Sequence, residues 1–280
     1  MPASFSIGVL CYGDHPDLIG RCLESIHRSV RDNKDVVKDV RIGINQCSEA
    51  ALVQIRKYSS QMAVPAYGYT THGEAYKYPI MRAMLFHSMA VRSTHWMWFD
   101  DDSHVKPGFD ASWLTHFATQ VENIDYAGYR YYLVNRGQGL RHGQTVGIKK
   151  QGWYGGRPIQ EKRPPFFQGG WWTARYALLQ SWSYPFRELR HNNGDVMLGQ
   201  LSLQQRWKEL VIPPTSGPVF SNQAPRRGTS DTPWPWEVAM PADYNHQNIR
   251  IVVERLNPLG DPACLPNSKT NSEMKISTPE

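Results

Sequence analysis

Three consecutive aspartates, Asp100, Asp101 and Asp102, follow an aromatic apolar run over residues 95–99. Adjacent carboxylates repel one another, so they are tolerated where a chain leaves the edge of a sheet and a cation compensates their charge. Mg²⁺ and Mn²⁺ prefer carboxylate oxygens and commonly share them with phosphate groups. The triplet therefore indicates a metal-assisted reaction on a phosphate-bearing substrate. The alternative is a solvated acidic turn, because Asp is common at strand ends.

The elements before the triplet alternate between strand and helix. Apolar runs predict strands at 5–11, 40–44, 64–69 and 95–99, and amphipathic stretches predict helices from residue 17, at 48–58 and at 78–91. This alternation implies a mainly parallel sheet, in which ligands bind beyond the carboxyl ends of the strands. Tyr12, Asn45 and Asp100 all fall at such ends, which favours a functional triplet.

The pattern beyond the triplet is less regular. We expect helices at 110–121, 174–182 and 195–207, strands at 126–134 and 210–212, and long loops over 137–165. The predicted organisation is one domain over 1–256, with a nucleotide-binding half (1–102) and an acceptor-binding half (103–256). A polar, Pro-rich tail over 257–280 is predicted to be disordered.

Cysteine usage and hydropathy indicate the compartment. Cys11, Cys22, Cys47 and Cys264 lack the spacing of a disulfide framework, which favours reduced thiols in a cytosolic protein. The amino terminus lacks the basic and apolar regions of a signal peptide, and no stretch is long enough to cross a bilayer. We expect a soluble cytoplasmic protein (in the host cytoplasm for a viral chain) without stable membrane insertion. The sequence predicts no oligomeric state.

Four segments resemble, in order, the GT-A fold of family-2-type glycosyltransferases, which use nucleotide-sugar donors. Residues 5–13 and 16–26 are similar to the opening strand and helix, and WFDDD at 98–102 is similar to the DxD motif. FQGGWW at 167–172 resembles the Gly-Gly segment that lines donor sugar and acceptor. NGDVMLG at 193–199 resembles the Glu-Asp or Asp-Asp motif that supplies the base of inverting members. One departure is that Gly194 stands where an acid is expected.

The resemblance, which covers roughly residues 4–213, implies an α/β protein of GT-A type. Its central sheet would be Rossmann-like, mainly parallel and flanked by helices, with an irregular acceptor-side half. It also implies metal-dependent transfer from a nucleotide sugar, most commonly a UDP-sugar, with inversion at the anomeric carbon. The residues expected to contact the donor are Cys11, Tyr12, Asn45, Lys77, Arg82, Asp100, Asp101, Gly169 and Gly170.

The resemblance also assigns the metal and the base. Asp102, with Asp100, would hold Mn²⁺ or Mg²⁺, and His246 is the first candidate for a late histidine ligand, ahead of His191. Each histidine could instead be a surface residue. Asp195 would take the acceptor proton, and a helix start would lower its pKa. The alternative is an ordinary acid in the first turn of a helix.

A basic stretch between the second and third motifs indicates the acceptor. Residues 130–163 carry eight basic residues against one acid, in a chain whose net charge is +6. Basic residues with interleaved aromatics suit a phosphate backbone and unstacked bases. The expected acceptor-binding residues are Lys149, Lys150, Trp153, Arg157, Trp171 and Trp172, although the last two fit an aromatic core equally well.

We therefore expect a polyanionic acceptor. DNA carrying a hydroxymethylated pyrimidine is the sharpest candidate, since some viral and protozoan glycosyltransferases modify such bases, and the target base would leave the stack. The alternatives are a polysaccharide, lipid-linked or protein acceptor, with the basic stretch gripping the donor diphosphate. A further alternative is a non-catalytic nucleic-acid-binding protein on a transferase scaffold.

Overall fold

A computed structural model describes residues 2–72, 75–86, 89–131, 142–159, 166–187, 189, 194–221 and 250–259. The strands are β1 (Phe5–Tyr12), β2 (Val37–Asn45), β3 (Ala66–His72), β4 (His95–Asp100), β5 (His104–Val105), β6 (Tyr126–Tyr131), β7 (Phe166–Arg175), β8 (Glu209–Val211), β9 (Val219–Phe220) and β10 (Arg250–Arg255). The helices are α1 (Pro16–Asp32), α2 (Glu49–Ser59), α3 (Lys77–Phe86), α4 (Trp113–Val121), α5 (His142–Lys149), α6 (Tyr176–Ser181) and α7 (Gly194–Gln205).

The central sheet has the order β10-β3-β2-β1-β4-β7-β6-β8. Four of its seven strand pairs are parallel, and these include the run β3-β2-β1-β4. Because β1 lies between β2 and β4, the strand order reverses there, and the carboxyl ends of β1 and β4 border the crevice where such sheets bind ligands. Leu10 of β1 is paired with Asp100 of β4, so the acidic triplet opens directly onto that crevice.

Helices cover both faces of the sheet. The apolar stripe of α1 (Ile19, Cys22, Leu23, Ile26, Val30) packs with α2 and α4 on one face, while α3 and α7 pack on the other. The start of α1 carries Pro16, whose fixed φ suits a first helical turn, and α2 begins after Ser48, whose hydroxyl accepts from the Ala51 N–H at 3.2 Å. The two cores hold the sheet rigid beneath its carboxyl edge.

Several elements differ from the sequence prediction, including the short strands β5 and β9, which were not predicted. Residues 166–175, predicted as a glycine segment followed by a helix from 174, form β7, an antiparallel strand in the middle of the sheet. Because both faces of β7 are covered, its side chains show no apolar–polar alternation. The predicted loops at 137–165 contain α5, whose two glycines obscure its helical pattern. Strand β10, which was not predicted, pairs antiparallel with the outer edge of β3.

The ordered fold includes Asn257, which the sequence analysis placed at the start of the tail. Its side chain donates to the carbonyls of Met62 (3.1 Å) and Val64 (2.8 Å) and accepts from the Ala66 N–H (3.1 Å). These bonds anchor the chain after β10 to the start of β3, so residue 257 belongs to the fold. The predicted tail over 260–280 lies outside the described residues. Within the described ranges, no helix is both long enough and apolar enough to cross a membrane.

Candidate functional site

Asp100, the last residue of β4, forms a buried ion pair with Lys77 at the start of α3. The Lys77 ammonium lies 2.8 and 2.9 Å from the two carboxylate oxygens, and the Trp98 indole N–H donates to Oδ1 at 2.9 Å. Both charged residues are almost fully buried. Because breaking a buried pair leaves an uncompensated charge, Lys77 and Asp100 hold each other in place. Asp100 therefore has an ion-pairing role within the fold, and its expected binding of a metal stays a prediction.

Asp101 and Asp102 follow Asp100 in a tight turn, in which the Ser103 N–H donates to the Asp100 carbonyl at 3.0 Å. We call these three aspartates the acidic edge. Both aspartates are buried, at 4% and 3% exposure. The Asp101 carboxylate accepts from the backbone N–H of Tyr12 at 3.2 Å, which joins the ends of β1 and β4. Tyr12 itself is 38% exposed, so its ring can contact a ligand at this edge.

The side chain of Cys11 is buried in the core, and its expected contact with the donor stays a prediction. Burial, followed by nearby acidic groups, raises the pKa of Cys11 and Cys22 well above the usual value. Burial likewise raises the pKa of Cys47 to about 12. Neutral thiols neither bind a hard metal nor attack a substrate.

Asn45 and Arg82 also have structural roles where donor contacts were expected. The Asn45 carboxamide oxygen accepts from the Thr71 hydroxyl (3.1 Å) and the Ala75 N–H (3.3 Å), which fixes the approach to α3. Arg82 donates to the carbonyls of Ser183 and Pro185 at 2.8 and 2.6 Å. These bonds hold the guanidinium against the segment after α6. They also satisfy two carbonyls that would otherwise need water as a partner.

Gly169 joins the acidic edge to Asp195. It lies where the pairing of β6 with β7 shifts register, and its carbonyl accepts from the Lys77 ammonium at 3.1 Å. A Cβ on Gly169 would stand 3.3 Å from Asp195 Oδ2 and 3.4 Å from Lys77 Nζ. A side chain at this position would crowd the Asp195 carboxylate, so glycine favours its close approach to the strand. Gly170, the next residue, is buried within β7.

Asp195 lies in the first turn of α7, as predicted, but the expected direction of its pKa was wrong. Burial raises the pKa of this carboxyl, while the Lys77 ammonium and the Val196 N–H, which donates to Oδ1 at 2.9 Å, oppose the rise. The loss of hydration outweighs the favourable charges of the helix start. A carboxylate with a raised pKa is a better proton acceptor, which suits a general base.

The departure from the motif at residue 194 has a steric cause. The ring of Tyr78 fills the space that a side chain on Gly194 would need. The Tyr184 hydroxyl, on the segment after α6, donates to the Gly194 carbonyl at 3.0 Å. Sequence reasoning missed both tyrosines. The missing acid was the only signal that another group occupies its place.

Trp171 and Trp172 lie in the core, as the aromatic-core alternative expected. Trp171 packs against Tyr129 and Phe117, at centroid distances of 4.9 and 5.7 Å. On the opposite face of β7, Trp172 packs against Trp98 and Tyr126. Both indoles are at most 1% exposed, because β7 is covered on both faces, so neither can stack on a ligand.

The expected acceptor residues on the basic stretch fall into two groups. Trp153 is buried and stacks on Phe186 at 5.7 Å, and Arg157 donates to the Leu203 carbonyl at 3.2 Å. Trp153 therefore packs its loop against the segment after α6, and Arg157 attaches the loop to α7. Lys149 and Lys150, by contrast, are exposed at the end of α5. Four further cations of the basic stretch and the two candidate histidine ligands lie outside the described residues: Arg136, Arg141, Lys162, Arg163, His191 and His246.

The carboxylate oxygens of the acidic edge are ligands that a hard divalent cation prefers. Three consecutive carboxylates are buried there, and Lys77 is paired with the first of them. No three His, Cys, Asp or Glu side chains converge into a metal site within the part of the chain that the structure describes. Mg²⁺ and similar ions commonly take one or two protein carboxylates and complete their shell with water and substrate phosphates. Asp102 would hold such an ion.

Comparisons with known proteins identify the fold. No protein-family model matches the chain, and no curated protein matches it in sequence. Two crystal structures of TarS from S. aureus superpose on 78% of the chain, with TM-scores of 0.50 and 0.51 and identities of 13% and 14%. A structure of GalNAc-T7 with UDP, GalNAc and Mn²⁺ superposes on 76%, with a TM-score of 0.50 and 9% identity.

These neighbours are glycosyltransferases of GT-A fold, and the chain has that fold. It covers 36–60% of the length of the neighbouring chains. The expected fold class is confirmed.

Proposed function

We propose that this protein is a metal-dependent, inverting glycosyltransferase that moves a sugar from a nucleotide-sugar donor, expected to be a UDP-sugar, to a hydroxyl acceptor. The observation that carries the proposal is the meeting of two charged groups at Gly169. The Lys77–Asp100 pair lies on one side, at the switch point of the sheet, and the Asp195 carboxylate lies on the other. The GT-A neighbours, one of them solved with UDP and Mn²⁺, support this assignment.

The chain's own groups divide the reaction between them. The donor diphosphate would lie over the carboxyl ends of β1 and β4, with Asp101 near the ribose and the exposed Tyr12 ring near the base. A divalent ion held by Asp102, with His246 as the proposed late ligand, would neutralise the charge that the leaving group develops. Lys77 would keep Asp100 and the Gly169 carbonyl in place beneath the sugar.

Asp195 would act as the base. It removes the proton from the acceptor hydroxyl as the oxygen attacks the anomeric carbon, while the bond from that carbon to the diphosphate oxygen breaks. The nucleoside diphosphate leaves, and the product is inverted because the attack is direct. The raised pKa of Asp195 strengthens this role, provided that the pH is high enough to keep the carboxyl ionised.

The acceptor is proposed to be polyanionic, with hydroxymethylated DNA as the first candidate. The exposed Lys149 and Lys150 support this, because surface cations at the end of α5 can contact phosphates. A hydroxymethyl group presents a primary alcohol, which Asp195 can deprotonate. A polysaccharide, lipid-linked or protein acceptor remains the alternative outcome of the test.

The test is a donor screen by mass spectrometry with hydroxymethylated DNA, plain DNA and oligosaccharides, each with Mn²⁺ or with EDTA. We expect transfer with Mn²⁺ and none with EDTA. Asp195→Asn should lower turnover ~10²–10⁴-fold with donor affinity retained. Asp17→Asn, an exposed acid in the first turn of α1, is the matched control.

Three outcomes would decide against parts of the proposal. Transfer by Asp195→Asn at most of the wild-type rate would reject the base. Product on oligosaccharide and none on DNA would reject the nucleic-acid acceptor. Salt-sensitive DNA binding without cleavage of any donor would instead support a non-catalytic binding protein.

A further inference from the structure

We propose that Tyr78 and Tyr184 are positioning residues that hold the peptide before Asp195, with the Tyr78 ring in the space of the motif's missing acid. This inference rests on the proposed function, since it concerns the residue that we assign as the base. Both phenol rings are almost fully buried, at 3% and 1% exposure. Neither residue carries a motif that sequence reasoning could have assigned.

The two tyrosines enclose the backbone at 194–195. The Tyr184 hydroxyl donates its only proton to the Gly194 carbonyl at 3.0 Å. The Tyr78 phenol interacts with the Tyr184 hydroxyl and with the backbone of Asp195, and its ring fills the space beside Gly194. The peptide between Gly194 and Asp195 is thus held by a hydrogen bond from Tyr184 and by the packing of Tyr78.

These contacts of Tyr184 and Tyr78 fix the position of Asp195 through its backbone. The first N–H groups of a helix have no partner within the helix, so a helix start is free to shift unless other groups bind it. Here the bound peptide directly precedes the Cα of Asp195, whose carboxylate must reach the gap beside Gly169. Small misplacements of a reacting group have large effects on rate. The tyrosines therefore act through Asp195, without contact to the reacting atoms.

Tyr78 also explains why the motif at residues 194–195 contains a single acid, Asp195. Because its ring fills the space beside Gly194, an acid at 194 would displace the ring and break the hydrogen bonds. Burial raises the pKa of both tyrosines well above the usual value, so the pair stays neutral. Among the described residues, the other titratable groups that interact with Asp195 are Lys77, Asp100 and Tyr126.

The test replaces each hydroxyl while keeping the ring, in Tyr184→Phe and Tyr78→Phe. We expect kcat to fall at least about 10-fold while the donor KM stays within about twofold. A loosened helix start should admit water, so the pKa of the Asp195 carboxyl, followed by ¹³C NMR, should fall toward its ordinary value. Tyr176→Phe is the matched control, because its hydroxyl donates to the Leu85 carbonyl at 3.2 Å.

The result that overturns the proposal is wild-type kcat and an unmoved Asp195 pKa in both variants. A loss of turnover that only follows a loss of folded protein, measured by circular dichroism, with an unmoved pKa would overturn it equally. The NMR measurement needs no catalysis. A pKa shift in a protein that cleaves no donor would therefore support the positioning pair and reject the proposed function.

Discussion

At Gly169, the two charged parts of the candidate site approach the same point of one strand. The Lys77 ammonium binds its carbonyl, and the Asp195 carboxylate lies within van der Waals reach of the position of its absent side chain. This arrangement connects the acidic triplet with the proposed base, which are distant in sequence. The distance of the Asp195 carboxylate from β7 therefore depends on the absence of a side chain at Gly169.

We predict that Gly169→Ala lowers turnover by about 10-fold or more, because the added methyl would displace the Asp195 carboxylate by a few tenths of an ångström. Stability should change by less than about 1.5 kcal/mol, since a strand position accepts Ala. Steady-state kinetics and urea unfolding give the two values. Gly152→Ala, where an added Cβ meets nothing within 4 Å, should leave both unchanged. Full activity in Gly169→Ala would contradict this account.

The pKa of Asp195 predicts a pH-dependent contribution to stability. Because the folded pKa is raised, the folded state binds the proton more tightly, so ionisation destabilises the fold as the pH rises above the ordinary value of 3.8. Asp195→Asn should therefore be more stable than the wild type at pH 7, and the difference should disappear near pH 3. Urea unfolding at several pH values measures this. A less stable variant at pH 7 would show that the Lys77 charge outweighs burial.

At the scale of elements, the irregular second half of the chain is built around β7. Its insertion between β4 and β6 brings Gly169 beside the acidic edge and seals Trp171 and Trp172 into the two cores. Helix α7 packs on the same strand and carries Asp195 at its first turn. The far end of α7 binds the loop at 155–157, because Gln204 accepts from the N–H groups of Gly155 and Arg157.

The edge of the sheet depends on Asn257, which follows β10. We predict that Asn257→Ala destabilises the protein by about 2–4 kcal/mol, because three buried backbone groups at 62–66 lose their partner. Thermal and urea unfolding measure the loss. Asn123→Ala, at an exposed position, is the control and should change stability by less than about 0.5 kcal/mol. Equal stability of the two variants would mean that the fold ends before residue 257.

At the scale of the whole molecule, the net charge of +6 does not by itself locate a binding surface. Within the basic stretch, Arg130 is paired with Glu209 and Arg157 is bound to a carbonyl, so both stabilise the fold. The exposed pair Lys149 and Lys150 is the described part of the stretch that can reach a polyanion. An interaction with nucleic acid should therefore depend on these two lysines.

We predict that Lys149→Gln with Lys150→Gln weakens DNA binding and reduces the slope of log K against log salt by about 1.8 for duplex DNA, if each lysine contacts one phosphate. Fluorescence anisotropy at several salt concentrations measures the slope. The control replaces Lys34 and Lys38, exposed cations at the amino end of β2, which is the end away from the carboxyl ends of the strands. An equal effect of both double variants would indicate non-specific attraction.

The sequence alone determined the fold class and the order of the motifs. Strand and helix periodicity are local properties, so the alternation up to Asp102 was readable, and the helix carrying Asp195 was predicted within a few residues. The sequence also determined that Gly194 departs from the motif. These features depend on neighbouring residues in the chain.

The tertiary structure decided which of the candidate residues share a site. The structure buries the side chains of Cys11, Trp171 and Trp172, and it places Asn45 and Arg82 in long-range hydrogen bonds. Burial also reversed the expected pKa direction of Asp195, since desolvation depends on residues distant in sequence. The contacts of Tyr78 and Tyr184 with the peptide before Asp195 exist only after β7 and α7 have packed, so no local pattern could reveal them.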